Sequence, residues 1–304
     1  MKVSGTARVV PVVAPFRLDL TVAVLRRFST NIVDIVAPDG TYVRAHATPL
    51  GTKIVTVRQT SSGTLAVGVE RDDDPERALM LVRCTLGLDR SAAHFARTAA
   101  ELPWLAGIAG RMRGVRPPRY ATLWEACVNA IVFQQVSLHA ATAILGRVIA
   151  SLEAPRDFAG VVVRAFPQPQ AFMRASDEVL RVAGLSAAKV ATLRRVATAL
   201  ADGTLAEAHL EALTSPAASA RLCELKGIGP WTAAVVLLRG LGRLDVFPEN
   251  DSGVARSLTA LTGATVDVPA VLARLAPEQG MLYYHLLLAR LEARGEVSER
   301  STNA

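Results

Sequence analysis

The segment Leu225-Lys226-Gly227-Ile228-Gly229-Pro230-Trp231-Thr232-Ala233 constrains this chain more than any other, because helical patterns press on it from both sides and leave few residues for the turn. Two glycines around one apolar residue make a tight hairpin, in which Gly227 and Gly229 permit positive φ and close backbone approach. Ile228 can bury inward, and Pro230 presets the first turn of the following helix. Unpaired amides then face outward at that helix's N-terminus, where backbone donors and the helix dipole favour an anion. A DNA phosphate is the natural occupant, and such a contact reads no base sequence. An ordinary helix–helix turn would use the same residues, so the rest of the chain has to separate the two readings.

The charge balance favours the anion. Lysine and arginine number 34 against 27 acids, a net +7. Lys2, Lys53, Lys189 and Lys226 are the four lysines, so the excess is arginine, which suits phosphate binding and equally a compositional bias. With 304 residues, 51% of them hydrophobic, the chain can fill about two domains and bury a core, which excludes wholesale disorder. Cys84, Cys127 and Cys223 are widely spaced, so they build neither a disulfide framework nor a cysteine metal cage. His46, His94, His139, His209 and His285 show no ligand spacing, and no metal is expected. Pro11 and Pro15 interrupt the apolar stretch from Val9 to Phe16, and the run Ala233 to Leu238 is too short to span a bilayer. A soluble intracellular protein without membrane contact is the expectation.

Two regions differ in periodicity. Strands are predicted at Ile32 to Val36, Thr41 to Thr48, Lys53 to Thr60 and Thr64 to Glu70, with turns at Pro38-Asp39-Gly40 and Ser61-Ser62-Gly63. Val43, Ala45 and Ala47 alternate with Tyr42, Arg44 and His46, as in a half-buried antiparallel strand with one face on a core. Asp72-Asp73-Asp74-Pro75 reads as a helix start and Gly87 as its stop. Residues 1–87 are therefore an antiparallel-sheet α+β domain. From Leu88 the pattern is helical with no convincing strand, giving an all-α domain over 88–297 and a tail at 298–304. Arg111 to Arg119 holds four arginines and two prolines, a basic connection or a solvated linker. A largely buried helix is predicted from Tyr120 to Gln135, and further helices at about 177–183, 186–201, 216–225, 230–239, 252–261 and 277–293.

Past a Gly240-Leu241-Gly242 loop the chain runs Leu244-Asp245-Val246-Phe247-Pro248-Glu249-Asn250-Asp251-Ser252-Gly253-Val254. A hairpin followed about twenty residues later by a Pro-containing loop and an aspartate at a helix start resembles the helix-hairpin-helix, Gly/Pro-Asp superfamily of DNA glycosylases. Phe133-Gln134-Gln135-Val136-Ser137 and Gly184-Leu185-Ser186, leading to Lys189 and Leu193, agree with it. The resemblance covers roughly Arg116 to Leu291. Within the superfamily the chain is most similar to 3-methyladenine DNA glycosylase II, whose members also carry an N-terminal α+β domain.

The resemblance implies that Asp251 is the catalytic carboxylate, a fixed anion for the positive charge that builds on the sugar as an N-glycosidic bond breaks. The plain alternative for Asp251 is a helix cap. Bifunctional relatives place a Schiff-base lysine where this chain has Trp231, so an amine nucleophile is not expected. Iron–sulfur relatives carry four cysteines after the aspartate, and this chain has none beyond Cys223. Trp231 could stack on a flipped, cationic base or simply pack the hairpin. Phe133 and Tyr283 complete the expected base pocket, although core packing is the default for Tyr283 and Tyr284. Val235 and Met281 stand where alkyladenine enzymes often show aromatics. Gln135 falls where the family plugs the gap left by the flipped nucleotide, or else it is a capping glutamine. The amides around Gly227, Ile228, Gly229 and Thr232, with Ser137 and Arg116, are the expected DNA contacts. No cofactor is implied beyond a structural monovalent cation at the hairpin carbonyls.

The expected function is monofunctional excision of alkylated purines of the 3-methyladenine type from duplex DNA by a monomer, in a nucleoid-associated cytoplasmic setting. The alternatives are a non-catalytic helix-hairpin-helix DNA-binding protein and a glycosylase for another damaged base; a glycosylase-lyase is opposed by Trp231.

Overall fold

The computed structural model describes residues 7–48, 51–70, 75–263 and 266–297. The expected helix start at Asp72-Asp73-Asp74 and the tail at 298–304 lie outside the described residues. The first elements are β1 (Arg8–Pro11), α1 (Leu18–Arg26), β2 (Asp34–Val36), β3 (Tyr42–Thr48), β4 (Gly51–Ser61), β5 (Thr64–Val69) and α2 (Pro75–Thr85). All five strands are antiparallel, in the order β1-β5-β4-β3-β2, with Ala45 opposite Ile54 and Val57 opposite Val67. The predicted strands and turns are present. α1 was not expected: Leu18, Leu20, Thr21, Val22, Val24 and Leu25 are all buried, so the segment is apolar nearly all round and shows no amphipathic stripe.

The expectation that β3 buries one face is corrected. Tyr42, Val43, Arg44 and Ala45 are all buried. The cover on the second face comes from the region read as purely helical, where β6 (Arg156–Phe158) and β7 (Val161–Val163) form a hairpin. Ala165 bridges to Ala45, and Val163 and Ala165 pack with Val43, Ala45 and Ile54 in a small core of their own. Three-residue strands are too short to show a period, so this hairpin escaped the sequence reading.

The remaining elements are α3 (Ala93–Ala100), α4 (Pro103–Arg111), α5 (Leu123–Val132), α6 (Leu138–Leu152), α7 (Pro169–Arg174), α8 (Asp177–Val182), α9 (Ala187–Ala201), α10 (Glu207–Ala212), α11 (Ser215–Cys223), α12 (Pro230–Gly240), α13 (Ser252–Thr262), α14 (Val268–Leu275) and α15 (Gly280–Glu292). Side-chain caps set several starts: Thr122, Ser137, Ser176, Ser186, Thr214, Asp251 and Asp267 each accept a first-turn amide. Each such cap contributes about 1 kcal/mol. All ten residues of α5 are buried, and α9 and α12 pack against it. Among the described residues no helix is long and apolar enough to cross a membrane.

Both large cores mix the two regions. One contains Val57 and Leu65 of the sheet with Ala126, Leu193 and Val236; the other contains Leu20 and Val24 of α1 with Leu238 and Leu288. A buried ionic cluster spans the same join. Arg44 donates to Asp34 at 2.6 Å and to Glu125 of α5 at 2.5 Å, while the Tyr42 hydroxyl donates to Asp34 at 2.7 Å. Arg239 of α12, also buried, donates to Val24 O at 2.7 Å and lies over the Tyr120 ring.

Candidate active site

The hairpin joins α11 to α12. Ile228 is buried as expected, and its N–H donates to Leu225 O at 2.9 Å, which closes the turn. Gly227 has φ 103°, and a Cβ there would overlap the Thr192 hydroxyl on α9. Gly229 differs from the expectation. Its φ of −102° is extended backbone, it stands at the N-cap of α12, and a Cβ on it would meet nothing within 4 Å. Its smallness therefore matters only on the outer side of the turn. Pro230 has no N–H, and the amides of Trp231 and Thr232 precede the first helical bond, Ala233 N to Gly229 O.

The end of α5 fastens this turn. Gln134 donates through Nε2 to Gly227 O at 3.0 Å and to Thr232 Oγ1 at 2.8 Å. Lys189 of α9 donates to Val132 O and Gln134 O at 2.8 and 2.9 Å, capping α5, and burial pushes its pKa down. Gln135 follows at φ 55°, exposed, with Val136 and Ser137 beside it; Ser137 caps α6. Arg195 donates to Lys226 O at 3.3 Å. Two hairpin carbonyls thus already hold donors, one of them cationic. The expected bridging monovalent cation would share these carbonyls with those donors through their second lone pairs.

Asp251 is the N-cap of α13. Its Oδ1 accepts from Gly253 N at 2.7 Å and Val254 N at 3.1 Å, and its Oδ2 accepts from the Trp231 indole N–H at 3.1 Å. The capping role therefore coexists with a place on a cavity wall. A cavity of about 850 Å³ opens between this carboxylate, the hairpin and the end of α5. It brings together most of the predicted residues: Phe133, Gln135, Ser137, Gly227, Gly229, Trp231, Thr232, Val235, Asp251 and Tyr283. Burial raises the Tyr283 pKa, so its phenol stays a neutral hydrogen-bond donor. Arg290 of α15 also lines the cavity; burial lowers its pKa, and Asp251 pulls it back up.

Three predicted residues do not line the cavity, and Ile228, buried inside the hairpin, is one of them. Met281 is buried in the core around Leu238 and Leu282, because the first turn of α15 points it inward, and it does not line the cavity. Arg116 is held on the amino-terminal side, its amide donating to Thr21 Oγ1 and its guanidinium to Val13 O at 2.5 Å. Tyr284 is fully buried and donates to backbone carbonyls at Pro118 and Leu238, a structural position. In the other direction, sequence reasoning missed Arg27, Asn129 and Gln134. Asn129 and Gln134 lay inside a stretch already read as helical, and nothing in the local pattern marked Arg27.

Residues 128–275 match the family described as HhH-GPD superfamily base excision DNA repair protein. The chain is 31% identical over 220 residues to a probable bifunctional transcriptional activator/DNA repair enzyme AlkA of Mycobacterium tuberculosis, covering 71% of this chain and 43% of that one. It is 31% identical over 170 residues to DNA-3-methyladenine glycosylase 2 of Escherichia coli, covering 53% and 57%. The chain thus spans about half the length of these curated relatives. Among solved structures, a 3-methyladenine DNA-glycosylase from Archaeoglobus fulgidus superposes with a TM-score of 0.78 at 23% identity, over 93% of this chain and 98% of that one. That likeness fixes the fold: a small antiparallel sheet followed by helices.

Proposed function

Because residues 128–275 carry an HhH-GPD superfamily base excision DNA repair domain, we propose that the protein is a monofunctional DNA glycosylase that releases alkylated purines of the 3-methyladenine type from duplex DNA. One observation carries this reading: Asp251 and Trp231 are bonded to each other on the wall of a single cavity that begins at the hairpin. A binding module would need the hairpin but not a fixed carboxylate facing a space large enough for a base.

In this reading a backbone phosphate sits against the outward amides at the start of α12, where the helix dipole adds to their attraction. Gln135, exposed at the cavity rim, fills the stack as the damaged nucleotide rotates out. The glycosidic bond breaks with its electron pair going to the base. Asp251, held by two amides and an indole N–H, stabilises the cationic sugar and orients the water that adds to it. Among the described residues no lysine lines the cavity, which supports hydrolysis over an amine adduct. The test is incubation with methylated duplex DNA and identification of the base released. The wild type should free an alkylated purine and leave an abasic strand that breaks only in alkali. Asp251→Asn should lose roughly 100-fold or more of the release rate with duplex affinity nearly intact. Residual release near the wild-type rate would refute the reading.

A further inference from the structure

Arg27 is an anomaly in backbone, burial and charge at once. It ends α1 at φ 61°, ψ −62°, and Phe28 N donates across it to Arg26 O at 2.8 Å. This is a γ-turn of the rare, strained hand, which a residue with a Cβ keeps only when its surroundings impose it. The residue is 93% buried, yet it lines the cavity that holds Asp251.

Its charge is poorly matched. The guanidinium carbon lies 3.9 Å from the Phe133 ring centroid, and Nη1 reaches Asn129 Oδ1 at a long 3.4 Å. Nε is buried without a partner. Among the described residues no carboxylate pairs with it; the acid that acts on it, Asp34, is bonded to Tyr42 and Arg44. Arg239 nearby works against its charge. An arginine stays protonated even so, and it can only donate. Unlike the other buried arginines it faces the cavity, where a ligand with an acceptor edge would satisfy it.

The cavity is where a flipped base would lie, so that edge belongs to a base. An arginine fork matches the O6 and N7 acceptors of a purine, and a cationic alkylated adenine gains nothing from a second positive charge. We propose that Arg27 is a specificity-determining residue that extends the range of this site to neutral 6-oxopurine lesions, within the glycosylase reading above, on which this inference rests. When the bond from C1′ to N9 breaks, its electron pair leaves with the base and spreads toward O6 and N7. The Arg27 N–H groups stabilise that charge, water oxygen bonds to C1′, and the water proton ends on the base through Asp251 or solvent. A cationic base needs no such help.

The experiment measures single-turnover release from duplexes bearing one hypoxanthine and from duplexes bearing 3-methyladenine. Arg27→Gly suits the turn, since glycine adopts φ 61° freely. The hypoxanthine to 3-methyladenine rate ratio should fall roughly 10- to 100-fold, the discrimination a bidentate arginine–base pair supplies. Added methylguanidinium should restore part of the hypoxanthine rate, which a merely structural role would not allow. If Arg27→Gly does not fold, Arg27→Lys keeps the charge without the fork, and the same fall in ratio is expected. Equal losses on both duplexes, or a wild type that releases 3-methyladenine but never hypoxanthine, would overturn the proposal and leave the glycosylase reading standing. Release of neither base by the wild type would defeat both.

Discussion

The two oxygens of Asp251 have separate duties, one capping α13 and the other accepting from Trp231. The indole is therefore a clamp on the carboxylate as well as an aromatic face in the cavity. A hydrogen bond to a charged group contributes about 1.5–3 kcal/mol. Trp231→Phe keeps the face and removes the N–H, so release of the alkylated base should slow roughly 10- to 100-fold while the duplex dissociation constant stays close to wild type. A rise in dissociation constant with the saturating rate unchanged would mean that the ring acts in binding alone. At this scale the sequence was legible where a motif fixed the spacing, as for Asp251, Trp231 and Gln135. It was opaque for Arg27, whose significance lies in a backbone angle and in partners more than a hundred residues away. Met281 failed for a related reason: position on α15 does not say which side of the helix faces the cavity.

In the hairpin proposed to meet DNA, the two glycines separate stability from binding. Gly227→Ala forces a Cβ into Thr192 at φ 103°, and the combined strain should cost about 2–4 kcal/mol. Thr192→Ala in the same chain should recover the steric part and leave the share owed to φ. Gly229→Ala meets open space at an ordinary φ, so it should melt within a few degrees of wild type while weakening duplex binding through the methyl group on the phosphate side. Urea unfolding and salt-dependent duplex titration of the variants check both halves. A Gly229→Ala protein that binds like the wild type would place the phosphate elsewhere. Capped amphipathic helices such as α9 and α13 were readable from their start signals. α1 was not, because burial on all sides erases the stripe, and β6 and β7 were not, because their pairing depends on contacts with a distant sheet.

Across the whole molecule, the Arg44 cluster ties the sheet to the central helix. Removing one member of a buried ionic group leaves the others desolvated and unpaired, which costs about 3–5 kcal/mol. Arg44→Met should lower the unfolding free energy read from urea titration by that amount, in a single cooperative transition seen alike by circular dichroism and tryptophan fluorescence. Two separate transitions would show that the sheet and the helices fold independently. The periodicity of the chain made the two regions look self-contained, since local pattern cannot show that Val24 and Leu238 share one core.

The cavity draws on Arg27 at one extreme and Arg290 at the other, with contributions from α5, α12 and α13 between them. During synthesis on a ribosome, the sheet and the γ-turn emerge early and wait, while Asp251 and the wall from α15 arrive late. A nascent chain halted before α15 would lack Tyr283 and Arg290 of the cavity wall and the leucines that pack on Leu238 of α12, so it would have no enclosed space in which to hold a base. In the proposed reading, base release therefore switches on only once α15 is in place, long after the sheet has left the ribosome.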